Sequence, residues 1–170
     1  RTRVDEFVHS RMLDVFYLYL IVGGMPEAVV MYNDSNDLAK VGGIHDKIIR
    51  LYKQDFSKYE KTYKLKLQEI YDSMPGQLDQ KNKRFQLNVL GQGMNYDRVA
   101  NDFLWLKDAG VAIPVYNIRE PKLPLIISEN RNLFKLFFSD IGLLTSCYSN
   151  QTKLAILNKD ASINNGALFE

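Results

Sequence analysis

The sequence predicts a mainly α-helical protein with a small antiparallel sheet. Apolar residues recur at spacings of three and four in most segments, which is the period of a helix with one buried face. Branched and aromatic residues concentrate in short runs between residues 111 and 138, which favours strands there. Of the 170 residues, 46% are hydrophobic, enough for a packed core. We expect an N-terminal helical subdomain at residues 1–62, a winged helix-turn-helix at 63–140 and a helical tail at 141–170.

The N-terminal subdomain is predicted to begin with a helix at residues 4–21. Four of its apolar residues share one face at helical spacing: Val8, Met12, Phe16 and Tyr19. Gly23 should end this helix, because glycine readily adopts the left-handed conformation that follows many helix C-termini. Pro26 should begin the next helix, since its missing N–H is not needed in the first turn. A third helix is expected at about residues 37–59.

Two further helices are predicted in the winged helix-turn-helix. The first covers about residues 65–74 and should stop near Pro75-Gly76. A short apolar segment follows at 85–90. Asn95 should cap the second helix, at residues 96–109, by accepting a hydrogen bond from its first turn. Its inward side chains are expected to be Val99, Phe103 and Leu106.

Strands are expected to follow these helices at residues 111–118, 125–127 and 134–138. Helix, short helix, turn, helix and strands in this order are typical of a winged helix-turn-helix. Asp140 then stands directly before a helical pattern at 141–148, where its carboxylate would cap the first turn.

Paired glycines before a helix raise the question of a phosphate-binding loop at Gly23-Gly24. A P-loop needs GxxxxGK[ST], whereas the residues here continue as Met, Pro, Glu and Ala. Pro26 removes an N–H that a phosphate would use, and Glu27 adds negative charge at the same place. Gly91 and Gly93 form GxG without the third glycine of a dinucleotide-binding motif. The pattern therefore favours a tight corner between two helices.

No self-contained catalytic or metal-binding set is found in the sequence. His9 and His45 are far apart and lack a second ligand at metal-binding spacing, so we expect each to be a surface or half-buried side chain. Cys147 has apolar neighbours, which favour a small buried hydrophobic role over a reactive thiol. We expect no catalytic residue, no metal ligand and no enzyme activity in this chain.

Nucleic-acid binding stays an open alternative. The formal net charge is only +2, so the chain as a whole does not attract DNA strongly. The exposed face of helix 96–109 is expected to carry Asp97, Asp102 and Asp108, which a phosphate backbone would repel. A solvated charged surface is the simpler explanation of the basic residues. The tentative nucleic-acid contacts are Lys81, Lys83, Arg84, Arg98, Asn101, Arg119 and Lys122.

Six segments, in order along the chain, resemble one protein family: VGGMPEAVVMY, LYKQDFSKYEK, KRFQLNVL, DFLWLKDAGVAIPVY, FKLFFSDIGLL and NNGALFE. Together they are similar to the C-terminal region, domain of unknown function 4143, of a prokaryotic AAA-type ATPase family. The resemblance implies that an ATPase module, which binds ATP and Mg²⁺ through a P-loop, precedes this region in the parent protein. It also implies that residues 166–170 begin a truncated part similar to restriction endonucleases. We therefore expect a piece excised from a longer protein, without a cofactor of its own.

The resemblance makes a noncatalytic accessory module of an AAA-type ATPase the leading functional hypothesis. Its partners would be the N-terminal ATPase module, the C-terminal nuclease-like part, and DNA or a protein that the module positions. The alternatives are a DNA-binding winged-helix module and an inactive fragment of a nuclease-like enzyme. Charged residues interrupt the N-terminal apolar pattern, so we expect no signal peptide, no membrane association and a cytoplasmic location.

Overall fold

The computed structural model describes residues 4–58, 61–160 and 166–169, which are mainly helical and include one two-stranded antiparallel sheet. The predicted fold class is confirmed at that level. The helices are α1 (Glu6–Val22), α2 (Pro26–Ser35), α3 (Leu38–Phe56), α4 (Lys61–Asp79), α5 (Tyr96–Asp108), α6 (Ile141–Ser146), α7 (Asn150–Leu157) and α8 (Gly166–Phe169). The strands are β1 (Ala112–Ile118) and β2 (Glu129–Phe138), and short 3₁₀ turns lie at Leu87–Leu90 and Leu125–Ser128.

The chain divides into two compact units. The first combines the described residues up to 50 with those from 140 onward, and the second covers 51–139. These units differ from the predicted division into residues 1–62, 63–140 and 141–170. The tail belongs to the first unit because α6 and α7 pack against α1 and α8 contacts α6. Helix α3 begins in the first unit and ends in the second.

The first unit is built on the C-terminal end of α1. Leu20, Ile21 and Val22 are buried there, whereas the beginning of the helix is exposed. Val22 packs with Ala28 of α2 and Val41 of α3 in one apolar cluster. Three helices therefore share a core at the corner where α1 gives way to α2.

Both ends of α1 have identifiable caps. The Asp5 carboxylate accepts hydrogen bonds from the N–H groups of Phe7 at 3.0 Å and Val8 at 3.3 Å. Gly23 follows the last turn with a φ of +72°, a backbone conformation that residues other than glycine rarely adopt. Pro26 is the first residue of α2. The predictions at Gly23 and Pro26 are thus confirmed.

Helix α4 of the second unit is longer than the sequence indicates. The predicted end near Pro75-Gly76 was wrong, since α4 continues through both residues to Asp79. Proline removes only one N–H from the helix, and packing on either side outweighs that loss. Met74 is fully buried just before Pro75, and Gln77 and Leu78 are buried just after Gly76.

Helix α5 agrees with its prediction. The Asn95 side chain accepts a hydrogen bond from the Arg98 N–H at 3.2 Å, as expected of its cap. The three residues predicted to point inward are buried: Val99, Phe103 and Leu106. Gly110, just past the end of the helix, has a φ of +67°. Local signals at the two ends of this helix were sufficient to define it.

The two strands pair antiparallel, with Ala112 opposite Phe138 and Ile118 opposite Glu129. The predicted strand at 125–127 was wrong, because this segment forms the 3₁₀ turn Leu125–Ser128 inside the connection between β1 and β2. The Ser128 hydroxyl donates to the carbonyls of Glu120 and Leu125, at 2.6 and 3.1 Å, and so holds the connection folded. Branched residues alone did not decide between a strand and this turn.

Aromatic rings form the centre of the second unit. Phe134 of β2 lies with its ring centroid 4.9 Å from that of Phe103 and 5.6 Å from that of Phe85. The Phe85 N–H donates to the Phe134 carbonyl at 2.9 Å. The backbone at Phe85 therefore makes one hydrogen bond to β2 of the kind that joins neighbouring strands. Tyr96 closes the cluster, and its hydroxyl lies 2.6 Å from that of Tyr116.

Candidate functional site

The glycine corner, defined as Gly23 and Gly24, binds the carboxylate of Asp140, a residue of the same chain. The Gly24 N–H donates to Asp140 Oδ2 at 2.6 Å. The other oxygen, Asp140 Oδ1, accepts from the Gly142 N–H at 2.8 Å and caps α6, as predicted. A Cβ added to Gly23 would lie 2.1 Å from Asp140 Oδ1, so only glycine fits. An N–H that a phosphate would use is therefore already bound to a carboxylate.

His45 of α3 lies next to this corner and is only 2% exposed. Its Nε2 donates to the Val22 carbonyl at 3.1 Å, and burial lowers the pKa of His45 against the opposing effects of that bond and of Asp140. The expectation of a surface or half-buried side chain was wrong here. The ring fits because Gly142 has no Cβ, which would lie 2.8 Å from Nε2. His9 is exposed, as expected.

One face of α1 is apolar and solvent-exposed. We call Val8, Met12, Val15 and Tyr19 the α1 apolar stripe; each is between 46% and 66% exposed. At the angular step of a helix these four positions fall within an arc of about 60°. All four residues that the sequence analysis grouped on one face, including Phe16, are exposed.

The opposite face of the same helix is packed. Leu13 and Tyr17 are half-buried and Leu20 is buried. Lys159 contributes to this packing, since its Nζ lies 2.6 Å from Asp14 Oδ1 and 5.9 Å from the ring centroid of Tyr17. Helix α1 therefore has two apolar faces, of which the first unit uses one.

The tentative nucleic-acid residues all lie in the second unit but not in one place. Lys81, Lys83 and Arg84 follow α4, Arg98 and Asn101 lie on α5, and Arg119 and Lys122 lie between β1 and β2. Several are already bound within the protein. Arg84 donates to the Asn132 carbonyl at 3.1 Å, and Arg98 to the Gly93 carbonyl at 3.2 Å. Lys122 Nζ lies 2.6 Å from a Glu120 carboxylate oxygen.

Helix α4 lies beside part of the α5 surface that was expected to be exposed. Asp102 is only 2% exposed, so its predicted place on the exposed face was wrong. Lys66 of α4 reaches it, with Nζ 3.1 Å from Asp102 Oδ2, while burial raises the pKa of Asp102. Lys66 also donates to the Arg98 carbonyl at 3.1 Å, and the Tyr63 hydroxyl donates to the Asn101 carbonyl at 3.4 Å. Two acidic residues remain exposed on this helix, Asp97 and Asp108.

A cleft of about 370 Å³ lies beside the N-terminal end of α5. We call it the amide cleft, because five carboxamides and one guanidinium line it: Asn82, Arg84, Gln86, Asn88, Asn95 and Asn132. Its other lining residues are apolar, and none is acidic. These carboxamides were not recognised as a group from the sequence, because they are spread from residue 82 to residue 132. Asn132 enters the cleft only because β2 folds back beside α5.

In the part of the chain that is described, no group of three or more His, Cys, Asp or Glu side chains converges. The expectation that Cys147 is buried was wrong, since its side chain is exposed. The buried positions of α6 are 142–145, and Cys147 lies just after the end of this helix. Gly166–Phe169 forms the short helix α8, while Glu170 lies outside the described residues.

Comparison with known proteins identifies one family. The family model described as Domain of unknown function (DUF8612) matches residues 13–154. No curated protein and no solved structure matches the chain. Among the helices described, none is by itself long and apolar enough to cross a membrane; only α1 and α2 taken together reach that length and hydropathy, and they are bent by 120°.

Proposed function

We propose that this chain, which belongs to the DUF8612 family of domains of unknown function, is a noncatalytic accessory module of an AAA-type ATPase. It docks against the ATPase module, where ATP and Mg²⁺ bind, and couples that module to a partner. The six segments that resemble domain of unknown function 4143 support the link to an ATPase. In the same proposal, α8 begins a nuclease-like part that has no cleavage activity in this chain.

The observation that carries the docking role is the α1 apolar stripe. Exposed single hydrophobic side chains are common, but an uninterrupted stripe over about three helical turns is typical of a surface that another protein covers. Burying a large apolar side chain is favourable by roughly 1.5–3 kcal/mol, so the four positions of the stripe provide a strong driving force for association. The packed opposite face keeps the helix in place while the stripe stays available.

The test is binding to the P-loop ATPase module of the parent protein, measured by isothermal titration calorimetry. Met12→Asp places a charge in the centre of the stripe and should weaken binding at least about tenfold. Ser10→Asp is the matched control, because it adds the same charge to an exposed polar position of α1. Both variants should keep the melting temperature of the parent chain. Equal binding of the two variants, or no complex with the ATPase module, would overturn the proposal.

Nucleic-acid binding by a winged-helix-like domain is the second candidate. The order α4, 3₁₀ turn, α5, β1 and β2 supports it, and the bond from Phe85 to Phe134 places a third extended segment beside the two strands. Binding should weaken steeply, by at least about tenfold, between about 50 and 200 mM salt, because phosphate contacts release counterions. Arg119→Gln should reduce this salt dependence, whereas Arg50→Gln in the first unit should not.

A further inference from the structure

We infer that the amide cleft binds an unpaired nucleobase of single-stranded nucleic acid. This inference rests on the second function proposed above and specifies both the form of the nucleic acid and the residues that recognise it. It is carried by the geometry of the second unit alone.

The chemistry of the cleft matches the edge of a base. Carboxamides carry both N–H donors and a carbonyl acceptor, as nucleobase edges do. The side-chain oxygens of Asn82, Asn95 and Asn132 already accept backbone N–H bonds, so these three residues present their N–H groups to a ligand. Arg84 is held at the cleft by two bonds: its guanidinium donates to the Asn132 carbonyl at 3.1 Å, and its backbone N–H donates to Asn82 Oδ1 at 3.2 Å. The remaining guanidinium N–H groups are then available to a carbonyl oxygen or ring nitrogen of the ligand.

The size and polarity of the cleft also favour a base. A volume of about 370 Å³ accommodates one planar ring system with its sugar. Leu87 and Met94, which are half-buried, supply apolar surface for the faces of the ring. The absence of any carboxylate among the lining residues removes the repulsion that a nucleic acid would meet elsewhere on α5. Lys81 directly precedes Asn82, and Arg98 follows Asn95 by three residues, so cations are close in sequence to the lining residues for the adjoining phosphates.

A duplex is a poorer ligand than a single strand for this unit. Major-groove binding requires a freely exposed face of α5, but Tyr63 and Lys66 of α4 bond to the backbone carbonyls of Asn101 and Arg98. The exposed carboxylates of Asp97 and Asp108 would also face the phosphates. A base inside a duplex is stacked and paired, whereas an unpaired base enters a cleft without that cost.

The experiment is fluorescence anisotropy at low salt with labelled oligonucleotides of about 12 nucleotides, a length that one small domain can contact. Four probes are used: single-stranded DNA, single-stranded RNA of the same sequence, the DNA duplex, and a single strand in which every base is replaced by an abasic site. Asn88→Ala is the test variant, because the Asn88 side chain is exposed and makes no hydrogen bond among the described residues. Asn33→Ala, an exposed asparagine of the first unit, is the matched control.

The single strands should bind at least about tenfold more tightly than the duplex. Asn88→Ala should weaken binding of the base-containing strands by roughly three- to tenfold, the range of one lost hydrogen-bonding pair, and leave the abasic strand unchanged. Asn33→Ala should match the parent chain with every probe. Comparison of the DNA and RNA strands identifies which source of the base is preferred.

Three outcomes would overturn the inference, and the probes distinguish them. If the duplex binds as tightly as the single strand and Asn88→Ala has no effect, nucleic-acid binding stands but the amide cleft is not its site. If no probe binds at low salt, both nucleic-acid binding and the cleft inference fail, while the docking role of the α1 apolar stripe is untouched. An effect of Asn88→Ala on the abasic strand equal to that on the intact strand would also contradict base recognition.

Discussion

The backbone N–H of Gly24 donates to the carboxylate of Asp140 at 2.6 Å, although 116 positions separate the two residues in the sequence. Hydrogen bonds to a charged acceptor are shorter and stronger than neutral ones. This bond joins the corner between α1 and α2 to the first turn of α6, and so connects the two sequence segments that form the first unit. The stability of the unit should depend on this corner.

Gly23→Ala should lower the free energy of unfolding by roughly 2–4 kcal/mol. The substitution forces alanine into a left-handed backbone conformation and places its Cβ against Asp140 Oδ1. Gly43→Ala is the control of opposite sign. Gly43 lies within α3 with nothing within 4 Å of an added Cβ, so alanine should stabilise the chain by about 0.5–1 kcal/mol. Urea unfolding measures both, and equal effects of the two variants would contradict the structure of the corner.

His45 should make the stability of the first unit depend on pH. Because burial lowers its pKa below the usual 6.5, the folded chain keeps the ring neutral at pH values where the unfolded chain binds a proton. The free energy of unfolding should therefore fall as the pH drops below about 6.5, with a slope of up to about 1.4 kcal/mol per pH unit from this residue. No loss is expected from this residue as the pH rises above neutrality.

His45→Gln should remove that contribution, since glutamine does not titrate and still carries an N–H donor. His9→Gln, at an exposed position of α1, is the control. Denaturation midpoints between about pH 5 and 8 compare the variants, over the window in which histidine changes charge. The expectation fails if the parent chain and His45→Gln show the same pH dependence.

Lys66 and Asp102 should respond unequally to substitution. Lys66→Met removes the cation and leaves a buried carboxylate unpaired, which should destabilise the chain by about 3 kcal/mol. Asp102→Asn keeps the shape and removes the charge whose burial is unfavourable, so its effect should stay within about 1 kcal/mol. The double variant should recover most of the loss. Thermal and urea unfolding would contradict this account if Asp102→Asn were the more damaging single change.

ATP should leave this chain unaffected. The glycine corner binds Asp140 and carries no lysine at P-loop spacing, so a nucleotide finds no free cradle there. A thermal shift measured with and without ATP and Mg²⁺ should show no stabilisation. The same measurement on Gly43→Ala gives the size of shift that a real stabilisation produces. A dose-dependent rise with ATP would contradict the proposed division of roles.

Local patterns predicted most element ends correctly. Gly23, Pro26, Asn95 and Asp140 each act through the backbone of their own turn, and such signals are contained in a few neighbouring residues. Local patterns failed where distant packing decides. Helix α4 continues past Pro75 because buried residues lie on both sides, and residues 125–127 turn because the β1–β2 connection must close.

The amino-acid sequence by itself determined the mainly helical class with its small antiparallel sheet, the caps at Asn95 and Asp140, and the mismatch to a P-loop. Composition, periodicity and motif spacing are properties of neighbouring residues. Only the tertiary structure decided that Asp140 occupies the glycine corner, that His45 and Asp102 are buried, and that Asn132 completes the amide cleft. It also decided which of the two apolar faces of α1 stays exposed. The physical reason is that burial and hydrogen-bond partners depend on residues brought together across the chain, and no local pattern contains them.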